Sequence, residues 1–208
     1  MSKARTNSWL LHPLAKPVVW VLALLPAAWL LTGAITDSLG ANPAEALIRS
    51  TGDWALRGLC IALAVTPVRQ WMGWNALARF RRLLGLFAFF YVLLHVLSYF
   101  VFDIGWSIQA MWSDVLQRPF ILVGALASVI LLALAATSPK AAVRAMGGRR
   151  WQLLHRGVYV AAWLALLHFY WMRDAKNNVL EVWIYVVVIA VLQGWRLAHY
   201  VRNQRKSG

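Results

Sequence analysis

Cysteine and acidic residues are scarce in this 208-residue chain. The single cysteine, Cys60, excludes an internal disulfide and a cysteine-ligated cluster. Only seven acidic residues stand against 21 lysines and arginines, so the net charge is +14. No polar stretch is long enough for a soluble domain. A glycine-rich phosphate loop is also missing, since "MGGRR" (146–150) is more simply a turn.

Apolar residues are abundant instead: 61% of the chain is hydrophobic, against about 45–50% in soluble domains. Six apolar runs are long enough, or nearly so, for a membrane-spanning helix of about 20 residues: 17–36, 54–68, 83–102, 120–137, 153–171 and 179–195. We therefore predict an all-α integral membrane protein, a six-helix bundle over 17–198 with tails at 1–16 and 199–208. Five spans is the main alternative, because Arg57 interrupts the second run and Glu181 lies near the start of the sixth.

Positive charge alternates along the chain and predicts its orientation. The basic residues gather before the first run, after the second and fourth, and after the sixth: Lys3, Arg5, Lys16; Arg69, Arg79, Arg81, Arg82; Lys140, Arg144, Arg149, Arg150; Arg196, Arg202, Arg205, Lys206. The positive-inside rule then places both termini in the cytoplasm of a bacterial inner membrane. The first run is longer than the apolar core of a signal peptide, so we expect it to remain as a span.

The excess of positive charge also raises the possibility of a nucleic-acid partner, which we reject. The bases lie in short loops at the ends of spans, where topology and anionic lipid headgroups explain them. Most of the 13 tryptophans fall near predicted membrane interfaces, as an aromatic belt does. The predicted surroundings are therefore lipid.

Five histidines remain, and three of them lie within spans. His12 and His199 fall in the tails, whereas His95, His155 and His168 lie where an ionisable residue suggests a functional site. The structural alternative is a neutral histidine bonded to a backbone carbonyl. His95 lies roughly 18 Å from the inner end of its span, His168 roughly 25 Å and His155 only about 6 Å.

Depth and ligand chemistry together favour one haem between two helices. His95 and His168 are both in the outer half, while His155 is about 20 Å from His168 along one predicted helix. A structural zinc ion needs four ligands, and a proton relay needs acids at this depth. A porphyrin supplies four of six positions, so two imidazoles complete a haem b. We predict His95 and His168 as its axial ligands.

Two stretches resemble a known family. "RRLLGLFAFFYVLLHVLSY" (81–99) and "RRWQLLHRGVYVAAWLALLHFYW" (149–171) are similar to the signature helices of the ferric-reductase-like transmembrane superfamily. Nearly the whole chain resembles its MsrQ family, in the paired arginines, the one histidine of the third span, the two of the fifth, the length and the six spans.

The resemblance implies an electron-transfer subunit rather than the site of substrate reduction. It implies haem b and FMN as cofactors, and electrons from the quinone pool or a cytosolic flavin reductase. The implied acceptor is a periplasmic molybdenum-containing methionine sulfoxide reductase of the MsrP type, which repairs oxidised periplasmic proteins. A ferric-reductase-like or other quinol-oxidising cytochrome b with a different periplasmic acceptor is the alternative.

One departure from the wider superfamily concerns the inner side. Relatives with two stacked haems carry two histidines on each of two helices, whereas the inner position of the third span here holds Arg81 and Arg82. His155 therefore belongs to a second haem with a non-histidine ligand or to a quinone or flavin site. No nucleotide-binding domain is appended, so we expect a separate electron donor.

Charged residues at the two predicted faces suggest further contacts. Arg81, Arg82, Arg149 and Arg150 are candidates to hold the FMN phosphate, although topology and lipid contact explain them as well. The seven acids all fall on the outer side, and five of them are candidates to dock the acceptor: Asp37, Glu45, Asp103, Asp114 and Asp174. A transporter would need polar residues along several spans or internal repeats, which are not evident, and a passive anchor would not need buried histidines.

Overall fold

The computed structural model describes residues 8–174 and 179–207, and within them the chain is helical without strands. Nine helices of seven or more residues follow in chain order through the described part: α1 Ala15–Ile35, α2 Pro43–Met72, α3 Arg81–Ser98, α4 Ile108–Gln117, α5 Pro119–Ala136, α6 Lys140–Met146, α7 Gly148–His155, α8 Gly157–Asp174 and α9 Leu180–Ser207. The chain divides into two compact units, one up to Asp114 and one from Val115. The all-α prediction is confirmed for the described residues.

Within the described residues, four helical stretches are both long enough and apolar enough to cross a membrane: Ala15–Ile35, Asn75–Asp103, Pro119–Ala136 and Leu180–Arg205. The chain is thus a multi-pass membrane protein. The two other long helices, α2 and α8, are less apolar because they carry charged and histidine side chains such as Arg57 and His168. Six spans and cytoplasmic termini stay predictions.

In the first unit, α2 packs along α3 and Tyr91 of α3 reaches α1. Pro26 lies inside α1 and has no N–H to give to the helix. One residue further on, the Tyr91 hydroxyl accepts from Ala27 N at 3.1 Å and donates to Ala23 O at 2.7 Å. In a regular helix those two backbone groups bond to each other. The hydroxyl therefore bridges the ladder beside the proline and ties α1 to α3.

Helix α2 is much longer than the apolar run at 54–68 that predicted it. Its start is defined by Asn42, whose side chain accepts from Glu45 N at 3.1 Å, and by Pro43 at the first helical position. Its end is Gly73, at a left-handed φ of 71°. Both ends of α2 therefore lie at capping residues rather than at the ends of the apolar run, because a helix can continue through polar residues until a cap ends it.

In the second unit, α5 packs along α8, and α9 packs against α8. The predicted fifth span, 153–171, is interrupted here: α7 ends at His155, Arg156 is a turn, and α8 begins at Gly157. His155 and His168 therefore lie on consecutive helices rather than on one. Helix α9 continues to Ser207, through most of the segment predicted as a tail at 199–208.

Candidate functional site

His95 lies on α3, in the first unit, with its ring against α2. Its Nδ1 is 2.8 Å from the carbonyl oxygen of Ile48. A carbonyl can only accept, so Nδ1 carries the proton and Nε2 carries the lone pair. An imidazole in this tautomer is set up to ligate a metal through Nε2.

His168 repeats this arrangement on α8, in the second unit. Its Nδ1 is 2.6 Å from the carbonyl oxygen of Phe120 on α5, which again assigns the proton to Nδ1. The Phe120 ring stacks on the imidazole at 6.2 Å between centroids. The structural alternative, a histidine bonded to a neighbouring carbonyl, thus describes Nδ1 of each ring.

A glycine lies against each ring, one helical turn beyond the accepting carbonyl. A methyl group at Gly52 would lie 3.1 Å from Nδ1 and Cε1 of His95. A methyl group at Gly124 would lie 2.8 Å from Nδ1 and 3.0 Å from Cε1 of His168. Both spacings are below ordinary van der Waals contact, so the helix backbone approaches the imidazole edge as closely as it does because these positions have no side chain.

His155 is held differently. Its Nε2 is 3.1 Å from the hydroxyl oxygen of Thr137, and that hydroxyl donates its own hydrogen to Ala133 O at 2.6 Å. The hydroxyl oxygen then accepts from His155, so the proton is on Nε2, the tautomer opposite to that of His95 and His168. The ring also stacks on Trp151 at 4.0 Å, and Trp151 Nε1 donates to Thr137 O.

The two histidines of the second unit bond to opposite ends of α5. Phe120 is at its first turn and Thr137 just past its last, about 25 Å apart at 1.5 Å per residue. His155 and His168 therefore do not share a ligand, in agreement with the separation expected from the sequence. Among the described residues, no group of three or more histidine, cysteine or acidic side chains could hold a bare metal ion.

The predicted arginines fall into two sets, one in each unit. Arg81 and Arg82 begin α3, while Arg149 and Arg150 lie in the first turn of α7 rather than at the start of α8. The nearby Arg79 donates to Leu10 O at 3.1 Å, so it ties the N-terminal segment to the first unit. The prediction that all four bind one phosphate stays a prediction.

The remaining predicted residues have local partners or lie outside the described part. His12 accepts from Leu14 N, and His199 stacks on Trp195. Among the acids, Glu45 pairs with Arg49 at 2.7 Å and Asp114 accepts a short hydrogen bond from Tyr99, whereas three are exposed: Asp37, Asp103 and Asp174. Lys3 and Arg5 lie outside the described residues.

Sequence reasoning missed an open groove between α1 and α2 of about 570 Å³. Leu22, Leu25, Pro26 and Trp29 of α1 form its apolar side, and Ser50, Asp53, Trp54 and Arg57 of α2 form the other. Arg57 lies 4.9 Å over the Trp54 ring, and Trp54 in turn contacts Tyr91 at 6.1 Å. The available signal was a pair of charges spaced i, i+4 inside an apolar segment.

Sequence reasoning also missed the two glycines, although a repeat marks them. Gly52, Ala55 and Leu59 recur as Gly124, Ala127 and Leu131 at the same spacing. On the partner helices, a buried alanine precedes each histidine by seven residues, Ala88 before His95 and Ala161 before His168. The two helix pairs thus share a short pattern of small residues around their histidines.

Most of the chain is similar to known proteins. The family described as the ferric reductase like transmembrane component matches residues 51–166. The protein-methionine-sulfoxide reductase heme-binding subunit MsrQ of Polaromonas naphthalenivorans (strain CJ2) is 56% identical over 98% of this chain and 93% of the relative. The MsrQ proteins of Ralstonia nicotianae and Herminiimonas arsenicoxydans are 49% and 48% identical over 91% and 86% of this chain, and 87% and 82% of their own lengths. No solved structure matches.

The helices and the family match define the class first: a multi-pass helical membrane protein of the ferric-reductase-like kind. The sequence identity to these relatives, over nearly the full length of both chains, then narrows this class to one family. The chain belongs to the MsrQ family. The resemblance stated from the two quoted helices is confirmed.

Proposed function

We propose that this chain is a haem-binding electron-transfer subunit of a methionine sulfoxide reductase system. The observation that carries the proposal is the matched pair of histidines: His95 and His168, on a chain of the MsrQ family, are both fixed with Nδ1 on a carbonyl and the lone pair on Nε2. Relatives of this family carry the name of heme-binding subunits.

His95 and His168 are the proposed axial ligands of one haem b. Their predicted depths in the outer half of the membrane are similar, and two imidazoles fill the positions that a porphyrin leaves open. The bound group would supply a one-electron carrier within the membrane. The chain contributes the two ligands, and the Ile48 and Phe120 carbonyls raise the basicity of those ligands by accepting from Nδ1.

The inner side is the proposed point of electron uptake, with the quinone pool or a reduced flavin as donor. His155 is supported in this role over a role as a second haem ligand, because its Nε2 is committed to Thr137 as a donor. With its proton on Nε2, the imidazole can accept a hydrogen bond through Nδ1 from a quinol hydroxyl or a flavin N–H. FMN, its phosphate held by Arg81, Arg82, Arg149 and Arg150, remains part of the proposal through the family resemblance.

The proposed acceptor is a periplasmic molybdenum-containing methionine sulfoxide reductase of the MsrP type. This assignment needs both termini in the cytoplasm of an inner membrane, so that the outer ends of α3 and α8 face the periplasm. A fusion of alkaline phosphatase after Gly208 should be inactive in that topology, and an active fusion would contradict it. A different periplasmic acceptor, reached by the same cytochrome b, is the alternative function.

The ligand assignment is tested by replacing each histidine separately. His95→Ala and His168→Ala should each remove most of the haem and its low-spin Soret, alpha and beta bands while the protein still inserts. His12→Ala and His199→Ala are matched controls that should keep the full spectrum. If both ligand variants keep a normal low-spin spectrum, the haem assignment is wrong. Transfer from the dithionite-reduced protein to an MsrP-like partner, or to ferric chelates, separates the two acceptors.

A further inference from the structure

The same small structural unit surrounds both candidate ligands. In each unit a helix presents a carbonyl to the histidine Nδ1, and four residues later the same helix presents a glycine to the edge of the ring. Ile48 and Gly52 serve His95, while Phe120 and Gly124 serve His168. Four residues is about one helical turn, so the carbonyl and the glycine lie on one face of the helix.

The correspondence extends beyond the ring itself. Ala55 and Leu59 on α2 are buried, and so are their counterparts Ala127 and Leu131 on α5. The alanines seven residues before the histidines are 1% and 0% exposed. Small buried residues allow two helices to pack closely in a membrane, so each histidine is carried on a tightly packed helix pair. Repetition of the whole pattern at two places argues that the glycines belong to it.

We propose that Gly52 and Gly124 are positioning residues for the two haem-ligating imidazoles. Each glycine admits a ring edge against the helix backbone, which limits rotation of the ring about its Cβ–Cγ bond and keeps Nδ1 on its carbonyl. The ring plane and the tautomer are fixed together in this way. The inference rests on the proposed haem ligation, and it adds residues that touch the ligands rather than the cofactor.

The space between the glycine and the imidazole ring is smaller at His168 than at His95. A methyl group at position 124 would lie 2.8 Å from the His168 ring, whose Nδ1 is 2.6 Å from its carbonyl oxygen. The corresponding distances for His95 are 3.1 and 2.8 Å. A side chain at position 124 therefore displaces its ring further than one at position 52. Loss of the carbonyl bond makes the imidazole a weaker donor to ferric iron, which raises the reduction potential.

Gly52→Ala and Gly124→Ala test the inference. Haemin affinity of the apoprotein should fall roughly 10–100-fold, as for other outer-shell partners of a metal ligand, with the larger loss for Gly124→Ala. The midpoint potential of the remaining haem should rise, and its low-spin electron paramagnetic resonance spectrum should change with the ring planes. Thermal unfolding of the apoprotein reports whether either variant has merely lost its fold.

Two other glycines provide matched controls. Gly58 is on the same helix as Gly52, and a methyl group there would lie 3.1 Å from the Cα of Ala88, so Gly58→Ala crowds the same helix pair without touching an imidazole. At Gly85, on α3, such a methyl group would have no atom within 4 Å beyond its chain neighbours and the nearby backbone of its own helix. Gly85→Ala should therefore leave affinity and potential unchanged.

The outcomes separate the two proposals. If His95→Ala and His168→Ala keep the haem, the ligand assignment has failed whatever the glycine variants do. If those variants lose the haem but Gly52→Ala and Gly124→Ala match Gly58→Ala and Gly85→Ala in haemin affinity, potential and spectrum, the glycines are ordinary packing residues and the inference is overturned.

Discussion

The two units of the chain hold a histidine in the same way and differ in almost everything else. Around His95 and His168 the carbonyl, the glycine and the buried alanine recur in register. Away from the rings the first unit has a tyrosine bridging a third helix, while the second has a polar network of Tyr159, Gln193 and Arg196. The shared part is what touches the imidazole. The placement of the imidazole ring is therefore the same in the two units, although different residues hold the helices together in each.

The inner ends of the histidine helices differ as well. Seventy-three residues separate His95 from His168, and the same offset pairs His155 with Arg82. The second unit thus has a hydrogen-bonded imidazole where the first has a guanidinium. Electron uptake through His155 would therefore depend on the second unit alone.

The largest effect on the rate of electron uptake is expected for His155→Ala. It should leave the haem spectrum intact and slow reduction by quinol or reduced flavin on the order of tenfold, the equivalent of one lost hydrogen bond of about 1.4 kcal/mol. Stopped-flow absorbance measures that rate, with dithionite reduction as the internal control. Disappearance of the haem signal would instead make His155 a ligand, and normal reduction by every donor would leave it a packing residue.

Tyr91→Phe should destabilise the first unit by about 1–3 kcal/mol, because Ala23 O and Ala27 N lose the hydroxyl that bridges them away from water. Tryptophan fluorescence during denaturation in detergent reports the change. Tyr200→Phe removes a hydroxyl from an exposed ring on α9 and serves as the control. Equal stability of the two variants would show that the ladder at Pro26 closes without Tyr91.

Asn42→Ala should cost about 1 kcal/mol through loss of the α2 cap. The corresponding helix of the second unit, α5, starts at Pro119 without a side-chain cap. Substitution of Arg118 should therefore cost the second unit less stability than Asn42→Ala costs the first. The same denaturation experiment measures both, and Gln70→Ala on the exposed face of α2 is the control. If Asn42→Ala destabilised the protein no more than Gln70→Ala does, Pro43 alone would define the start of α2.

The smallest effect is expected at the exposed acids. Joint substitution of Asp37, Asp103 and Asp174 by Asn should slow transfer to the acceptor about two- to fivefold at low salt, with no change in the haem spectrum. Asn tolerates the positive φ of 53° at position 37. The effect should vanish at high salt, where surface fields are screened. Arg202→Gln with Arg205→Gln is the opposite-face control, and unchanged rates at low salt would rule out electrostatic docking.

The fold class was predictable because long apolar runs have few alternatives to membrane helices. The histidines were predictable for a related reason: an imidazole in such a run is costly, so it stands out. Helix ends were less predictable, since hydropathy does not detect the cap at Asn42 or the turn at Arg156 that separates α7 from α8.

The glycines escaped prediction because their role lies in a contact with another helix. Gly52 lies between Thr51 and Asp53 and Gly85 between two leucines, and neither setting indicates which of the two glycines meets an imidazole. The tautomer of each ring was equally out of reach, because it depends on a carbonyl about 47 residues away. What the spacing could have shown is the recurrence of Gly52, Ala55 and Leu59 at 124, 127 and 131.

The hydroxyl bridge at Pro26 also imposes an order on synthesis. The ribosome makes α1 first, but the tyrosine that completes its hydrogen-bond ladder follows 64 residues after Ala27. At about 5–20 residues per second, that interval is on the order of 3–13 s. During it, the Tyr91 hydroxyl is not yet available to Ala23 O and Ala27 N, and nascent-chain crosslinking between positions 27 and 91 would time the interval. The contacts of α1 are thus completed only after α3 has been made.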